Sequence, residues 1–116
     1  IKTINNIAVV ETDQILITDV ASALDLIMSV SYESGSHSIV IGKSALTEDF
    51  FRLSSGIAGD ILQKFINYKI RLAVYGDYSV YTSKPLKDFI YECNQGKDFY
   101  FVTSIDEAIQ KLESKG

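Results

Sequence analysis

Apolar residues in this chain fall into short runs alternating with helical stripes. Ile7-Ala8-Val9-Val10 and Ile15-Leu16-Ile17 flank the polar stretch Glu11-Thr12-Asp13-Gln14, a pattern that predicts a β-hairpin. From Val20 the period changes. Val20, Ala23, Leu24, Ile27 and Met28 recur at helical spacing, which predicts a helix with that face buried. Asp19 or Ser22 is the expected cap, with Asp25 three residues after Ser22 as in a capping box, and Gly35 lies near the helix end. Ile39-Val40-Ile41-Gly42 reads as the third strand.

Residues 43–54 are less regular, with Thr47 placed to cap a turn through Glu48, Asp49, Phe50 and Phe51. On such a turn two adjacent phenylalanines are expected to face different ways, one of them on an exposed patch or over a pocket. A long helix follows, with Ile57, Ile61, Leu62, Phe65 and Ile66 on one side, and ends near Asn67-Tyr68-Lys69. Ile70 to Tyr75 is the fourth strand and Gly76-Asp77-Tyr78-Ser79 a loop. Thr82 or Ser83 opens a helix with Pro85 in its first turn, where a missing N–H does no harm. Its stripe is Leu86, Phe89, Ile90 and Cys93, and Gly96 is the expected left-handed cap. Phe99 to Val102 is the fifth strand. Ser104-Ile105-Asp106-Glu107 is a capping box for a last helix carrying Ile105, Ala108, Ile109 and Leu112. The order is ββαβαβαβα. It predicts one α/β domain over residues 1–116, built on a mixed, mainly parallel five-strand sheet with right-handed crossovers.

Composition narrows the function classes. The chain has 116 residues, 47% hydrophobic and 22% charged, enough for a core without disulfide or metal staples. Its net charge is −4 with scattered basic residues, so no nucleic-acid partner is expected. The single cysteine, Cys93, allows no intrachain disulfide and fits a reducing compartment. No apolar run approaches the roughly 20 residues of a membrane span, and the first residues hold no signal-peptide core. A cytoplasmic protein without membrane contact is the expectation.

The element order resembles that of the STAS domains, small bacterial modules that include the anti-sigma factor antagonists. In that family a motif of the Asp-Ser-Ser-Gly type follows the third strand, and its phosphorylated serine switches partner binding. Ser54-Ser55-Gly56-Ile57 stands at that place, and Ser104-Ile105-Asp106-Glu107-Ala108 resembles the usual start of the final helix. Leu53 replaces the motif's Asp, and Glu48-Asp49-Phe50-Phe51 lengthens the loop before it. Over nearly its whole length the chain also resembles the bacterial family known as domain of unknown function 4180. The residues that carry this likeness include Leu16-Ile17-Thr18-Asp19, Glu48-Asp49-Phe50-Phe51, Gln63-Lys64-Phe65 and Asp88-Phe89-Ile90-Tyr91-Glu92. That resemblance implies a family and no activity.

Candidate chemistry gathers at one edge. Parallel α/β sheets present ligand sites beyond the carboxyl ends of their strands. The proposed topology brings Thr18, Asp19, Lys43, Ser44, Asp77, Thr103 and Ser104 there, with Glu48, Asp49, Ser54 and Ser55 on the adjoining loop. Helix capping and ion pairing account for many such residues. As a site, Asp19, Lys43, Glu48, Asp49 and Asp77 form a polar rim for a small molecule. Ser54 and Ser55 are candidates for phosphorylation or partner contact, since a phosphate at a helix N-terminus meets free N–H groups. Gly56 and Gly59 lack the basic flanks of a nucleic-acid GxxG loop, and His37 lacks a nucleophile context. No complete catalytic, metal or cofactor motif occurs. Seven Tyr and six Phe suggest a protein interface, a homodimer among the options. The expectation is a non-catalytic regulatory or interaction module with a protein partner, the alternative a small-molecule-binding protein or enzyme using the rim. A pocket of a few hundred Å³ at that rim would favour the alternative, and an exposed aromatic patch the first.

Overall fold

The computed structural model describes residues 2–114; Ile1, Lys115 and Gly116, the ends of the domain expected over 1–116, lie outside the described residues. Five strands, β1 (Lys2–Ile4), β2 (Ile7–Val10), β3 (Ser38–Gly42), β4 (Arg71–Tyr75) and β5 (Phe99–Val102), form one sheet in the order β1-β2-β3-β4-β5. Four helices, α1 (Val20–Ser34), α2 (Ile57–Asn67), α3 (Lys84–Gln95) and α4 (Ile105–Ser114), follow β2, β3, β4 and β5. β2 through β5 are parallel and β1 is antiparallel to β2. The element order is the expected one.

The hairpin is not where the apolar runs place it. Lys2–Ile4 pairs with Ile7–Val10, and Ile15–Ile17 forms no strand. The turn is Asn5-Asn6, both in the left-handed region with φ of 50° and 65°. Asparagine tolerates that region, and a two-residue turn of this hand matches strand twist. Ile17 instead makes a single parallel bridge to Leu46, and Leu16 and Ile17 both donate to the carbonyl of Ala45. The segment before α1 is thereby tied to the loop after β3.

Each crossover moves one strand over in the same direction, so right-handed connections put α1, α2 and α3 on one face of the sheet. The core there joins Val10, Ile41, Val74 and Phe101 to Ala23, Ile27, Val30, Ile61, Phe65 and Leu86. The alternate strand positions, Val9, Val40, Ala73, Tyr100 and Val102, form a second core under α4 through Ala108 and Leu112. Both faces of the central strands are covered, which is why they read as unbroken apolar runs.

Local chemistry sets the helix ends. Asp19 caps α1 by accepting from Ser22 N–H, while Ser22 Oγ accepts from Asp19 N–H, so the capping box is Asp19 with Ser22 and not Ser22 with Asp25. Gly35 closes the helix at φ 69°. Gly96 closes α3 in extended backbone at φ −88°, not left-handed. At α4, Ser104 Oγ accepts from Glu107 N–H, but the Glu107 carboxylate turns to Thr103 N–H and Oγ1. Met28 and Ile66, expected inside, are 46% and 47% exposed at the edges of their stripes.

Candidate functional site

β3 and β4 end side by side, and the first residues beyond them make the floor of the rim. Gly42 pairs with Tyr75 on the last rung of the ladder, so Lys43 and Gly76 emerge as neighbours. A Cβ on Gly76 would fall 2.7 Å from Lys43 Cβ, so the two segments come this close only because residue 76 is glycine. Lys43 lies in this crevice with its side chain only 19% exposed. Its ammonium sits 4.8 Å from the ring centroid of Tyr81 and 5.7 Å from that of Phe51. These two rings stack at 5.1 Å with planes 18° apart. A lysine over an aromatic face gains about 0.5–1 kcal/mol when exposed and more as water is excluded.

The three short 3₁₀ turns Lys43–Ala45, Glu48–Phe51 and Leu53–Ser55 build the loop after β3. Thr47 Oγ1 accepts from Asp49 N–H and starts the second of them. That turn buries both phenylalanines, Phe50 at 1% and Phe51 at 5% exposure, in edge contact 5.1 Å apart, so neither forms the expected exposed patch. Phe50 and Phe51 both reach Phe101, and Phe51 also touches Tyr78. Tyr78 donates to Val74 O at 2.6 Å, and its burial pushes the phenol pKa far up.

Glu48 projects from the same turn. Its carboxylate lies 3.8 Å from Lys43 Nζ and accepts from Tyr81 OH at 3.0 Å, while its own side chain stays 73% exposed. Burial first, then the Glu48 carboxylate, raise the Tyr81 pKa against the pull of Lys43, so the phenol remains a donor. Asp77 stands across from Lys43. Its carboxylate accepts from Ser79 N–H at 2.9 Å; that serine, and to a lesser degree Lys43, hold its pKa below the ordinary value. Two open clefts meet at Glu48. One, about 450 Å³, is lined by Lys43, Ser44, Tyr75, Asp77 and Val80. The other, about 420 Å³, is lined by Phe51, Arg52, Leu53, Ser54, Tyr81 and Pro85.

Of the expected rim, Lys43, Glu48 and Asp77 come together. Asp19 does not join them: its carboxylate is taken up in capping α1, and Ser22 holds its pKa low. Asp49 pairs with Arg52 at 3.2 Å, both well exposed, and lines neither cleft. The two serines separate. Ser55 Oγ donates to Asp49 O at 2.9 Å and accepts from Ile57 N–H, tying the loop to the start of α2. Ser54 is exposed and lines the smaller cleft. The residues that sequence reasoning left out of the rim are Phe51, Tyr81, Tyr75 and Pro85. The signal for the aromatic ones was the count of seven Tyr and six Phe, which in sequence suggests a protein interface. His37 lies at the opposite end of the sheet, just before β3. Cys93 is half-buried on α3, and burial pushes its pKa up to about 11. Among the described residues no three His, Cys, Asp or Glu are grouped to hold a metal, and no helix is long and apolar enough to cross a membrane.

Residues 2–112 match the family described as domain of unknown function DUF4180, and the chain belongs to that family. Neither the curated proteins nor the solved structures give a match.

Proposed function

We propose that this member of the DUF4180 family is a non-catalytic binding domain whose site is the rim around Lys43. Its ligand is a small molecule with one anionic group for Lys43 and an apolar body for Phe51, Leu53 and Pro85. The observation that carries this reading is the state of Lys43: a side chain four-fifths buried, its ammonium against two stacked rings, whose carboxylate partner sits at 3.8 Å on an exposed side chain beside two open clefts. An exposed partner of this kind contributes little and yields readily to a ligand anion. The cleft volumes are in the range of small-molecule sites. The burial of Phe50 and Phe51 turns the balance from a surface patch toward a ligand site. The test is mass spectrometry of small molecules retained by the protein purified under native conditions. An anionic compound enriched on the wild type and lost from Lys43→Met supports the reading; equal profiles for the two overturn it.

A second reading, a regulatory module switched at Ser54, is favoured by one contrast. Ser55 is bound on both sides within the loop, whereas Ser54 offers an exposed hydroxyl at the cleft edge. Its place before the helix resembles that of the STAS serine. A Ser54→Asp variant that keeps its melting temperature but loses capture of a protein partner supports this role; unchanged capture removes it.

A further inference from the structure

A cleft of about 540 Å³ lies at the other end of the sheet, where the parallel strands begin. Its walls come from the Asn5-Asn6 turn, the segment between α1 and β3, the first residue of β4 and the end of α4. Arg71 is its cation. The guanidinium donates from Nε to Lys97 O at 2.8 Å and from Nη1 to Leu112 O at 2.7 Å. Nη2 is shut off from water and has no hydrogen-bond partner among the described residues. No carboxylate of the described residues lies within 4.0 Å of it as an ion pair. The same wall holds a second orphan. Ser36 is 4% exposed and its Oγ has no partner, although its backbone N–H is satisfied by Ser34 Oγ.

Unpaired buried groups are rare because each forfeits hydrogen bonds that water would have made. Here two of them, one charged, belong to residues that line a single open cleft, whose lining also includes the amides of Asn5 and Asn6, the hydroxyl of Ser38 and the imidazole of His37, beside apolar Ile7 and Leu112. Both orphan atoms are closed to solvent, so an oxyanion reaches them only as the cleft lining shifts, but the arginine itself is already held in position by its two carbonyls. We infer that this basal cleft binds an oxyanion, a carboxylate or phosphate group of a small polar molecule, with Arg71 and Ser36 as its donors. The inference is independent of the rim. The cleft also contains one opposing charge, Glu113, whose carboxylate accepts from Asn5 Nδ2 at 2.6 Å. A carboxylate in the wall weakens an anion's binding through Coulomb repulsion.

The test is ¹⁵N-resolved NMR titration of the full chain with sodium phosphate and, separately, sodium acetate, against sodium chloride at matched ionic strength. Saturable shifts of the basal amides of Asn6, Ser36, His37 and Arg71, separate from any at the rim, are expected with at least one oxyanion and not with chloride. The oxyanion that saturates at lower concentration tells phosphate from carboxylate. Ser36→Ala should weaken binding about tenfold, the worth of one hydrogen bond to a charged group. Glu113→Gln, which can still accept from Asn5, should tighten it. Arg71→Gln should abolish it; because Arg71 also holds α4, the Ser36 and Glu113 variants decide the matter if that protein fails to fold. Lys43→Met should leave the saturation of the four basal amides unchanged, whatever it does at the rim. Shifts equal to those in chloride, no saturation up to tens of millimolar, or Glu113→Gln binding no tighter than wild type would overturn the assignment.

Discussion

Two adjacent serines at the start of one helix do different work. Ser55 makes both a donated and an accepted hydrogen bond within the loop, and Ser54 stands at the surface. Ser55→Ala should therefore lower stability by about 0.5–2 kcal/mol, as the loss of a helix-start hydroxyl does, while Ser54→Ala should change the denaturation midpoint little. Equal effects at both positions would show that the loop is held some other way. Cys93 gives a second residue-scale expectation. Burial, with a smaller contribution from Glu92, raises its pKa from 9.0 to about 11. Below pH 9 both folded and unfolded thiols are protonated. Between 9 and 11 the unfolded chain loses this proton and the folded one keeps it, so stability falls as pH rises across that window. The stability difference between wild type and Cys93→Ala should shift against the wild type through this range, measured by denaturant midpoints. A difference constant with pH would place the thiol in water.

The elements that the sequence revealed are those whose side chains repeat. Ile61 sits on the α2 stripe and is fully buried, as its spacing with Ile57, Leu62 and Phe65 implies. Ile61→Ala should cost about 2–5 kcal/mol, seen as a lower denaturant midpoint with an unchanged slope. An unaltered midpoint would mean that α2 does not pack as described. The three central parallel strands were equally legible, because burial on both faces writes itself as a continuous apolar run. The hairpin was not. Ile15-Leu16-Ile17 has a strand's composition but serves as a tether to Ala45 and Leu46, whereas the true turn rests on backbone angles that Asn5 and Asn6 permit and that leave no apolar pattern. The rim was legible in its charges and not in its floor. Lys43, Glu48 and Asp77 were placed by strand ends, but the stacking of Tyr81 on Phe51 joins two loops whose contact no local period reports. The basal cleft had only one sequence sign, an arginine opening an otherwise apolar strand. Ser36 looked like any loop serine.

At the scale of the molecule, the two faces of the sheet are unequally defended. Three helices cover one face, and among the described residues only α4 covers the core of Val9, Val40, Ala73, Tyr100 and Val102. α4 is held there by Ala108 and Leu112 with Ile105 and Ile109 beside them, by its Ser104 cap, by Arg71 Nη1 on the carbonyl of Leu112 and by Asn5 on Glu113. As the one ten-residue helix of the described residues over that core, α4 can open without disturbing the three helices of the other face, which makes it a natural unit of partial opening. Native-state hydrogen exchange should therefore show α4 amides opening at lower free energy than those of β3 and β4, as one group. Arg71→Gln should lower that value further while leaving α1 and α2 near their wild-type protection, since the hydrogen bonds of its side chain go to the carbonyls of Lys97 and Leu112. The converse bears on the basal cleft. Its wall includes Leu112 and Arg71, so an oxyanion bound there should raise α4 protection in step with its occupancy. If α4 exchanges only through global unfolding, with the same free energy as β3, the sheet's second face is as firmly closed as the first, and this coupling of helix to cleft fails.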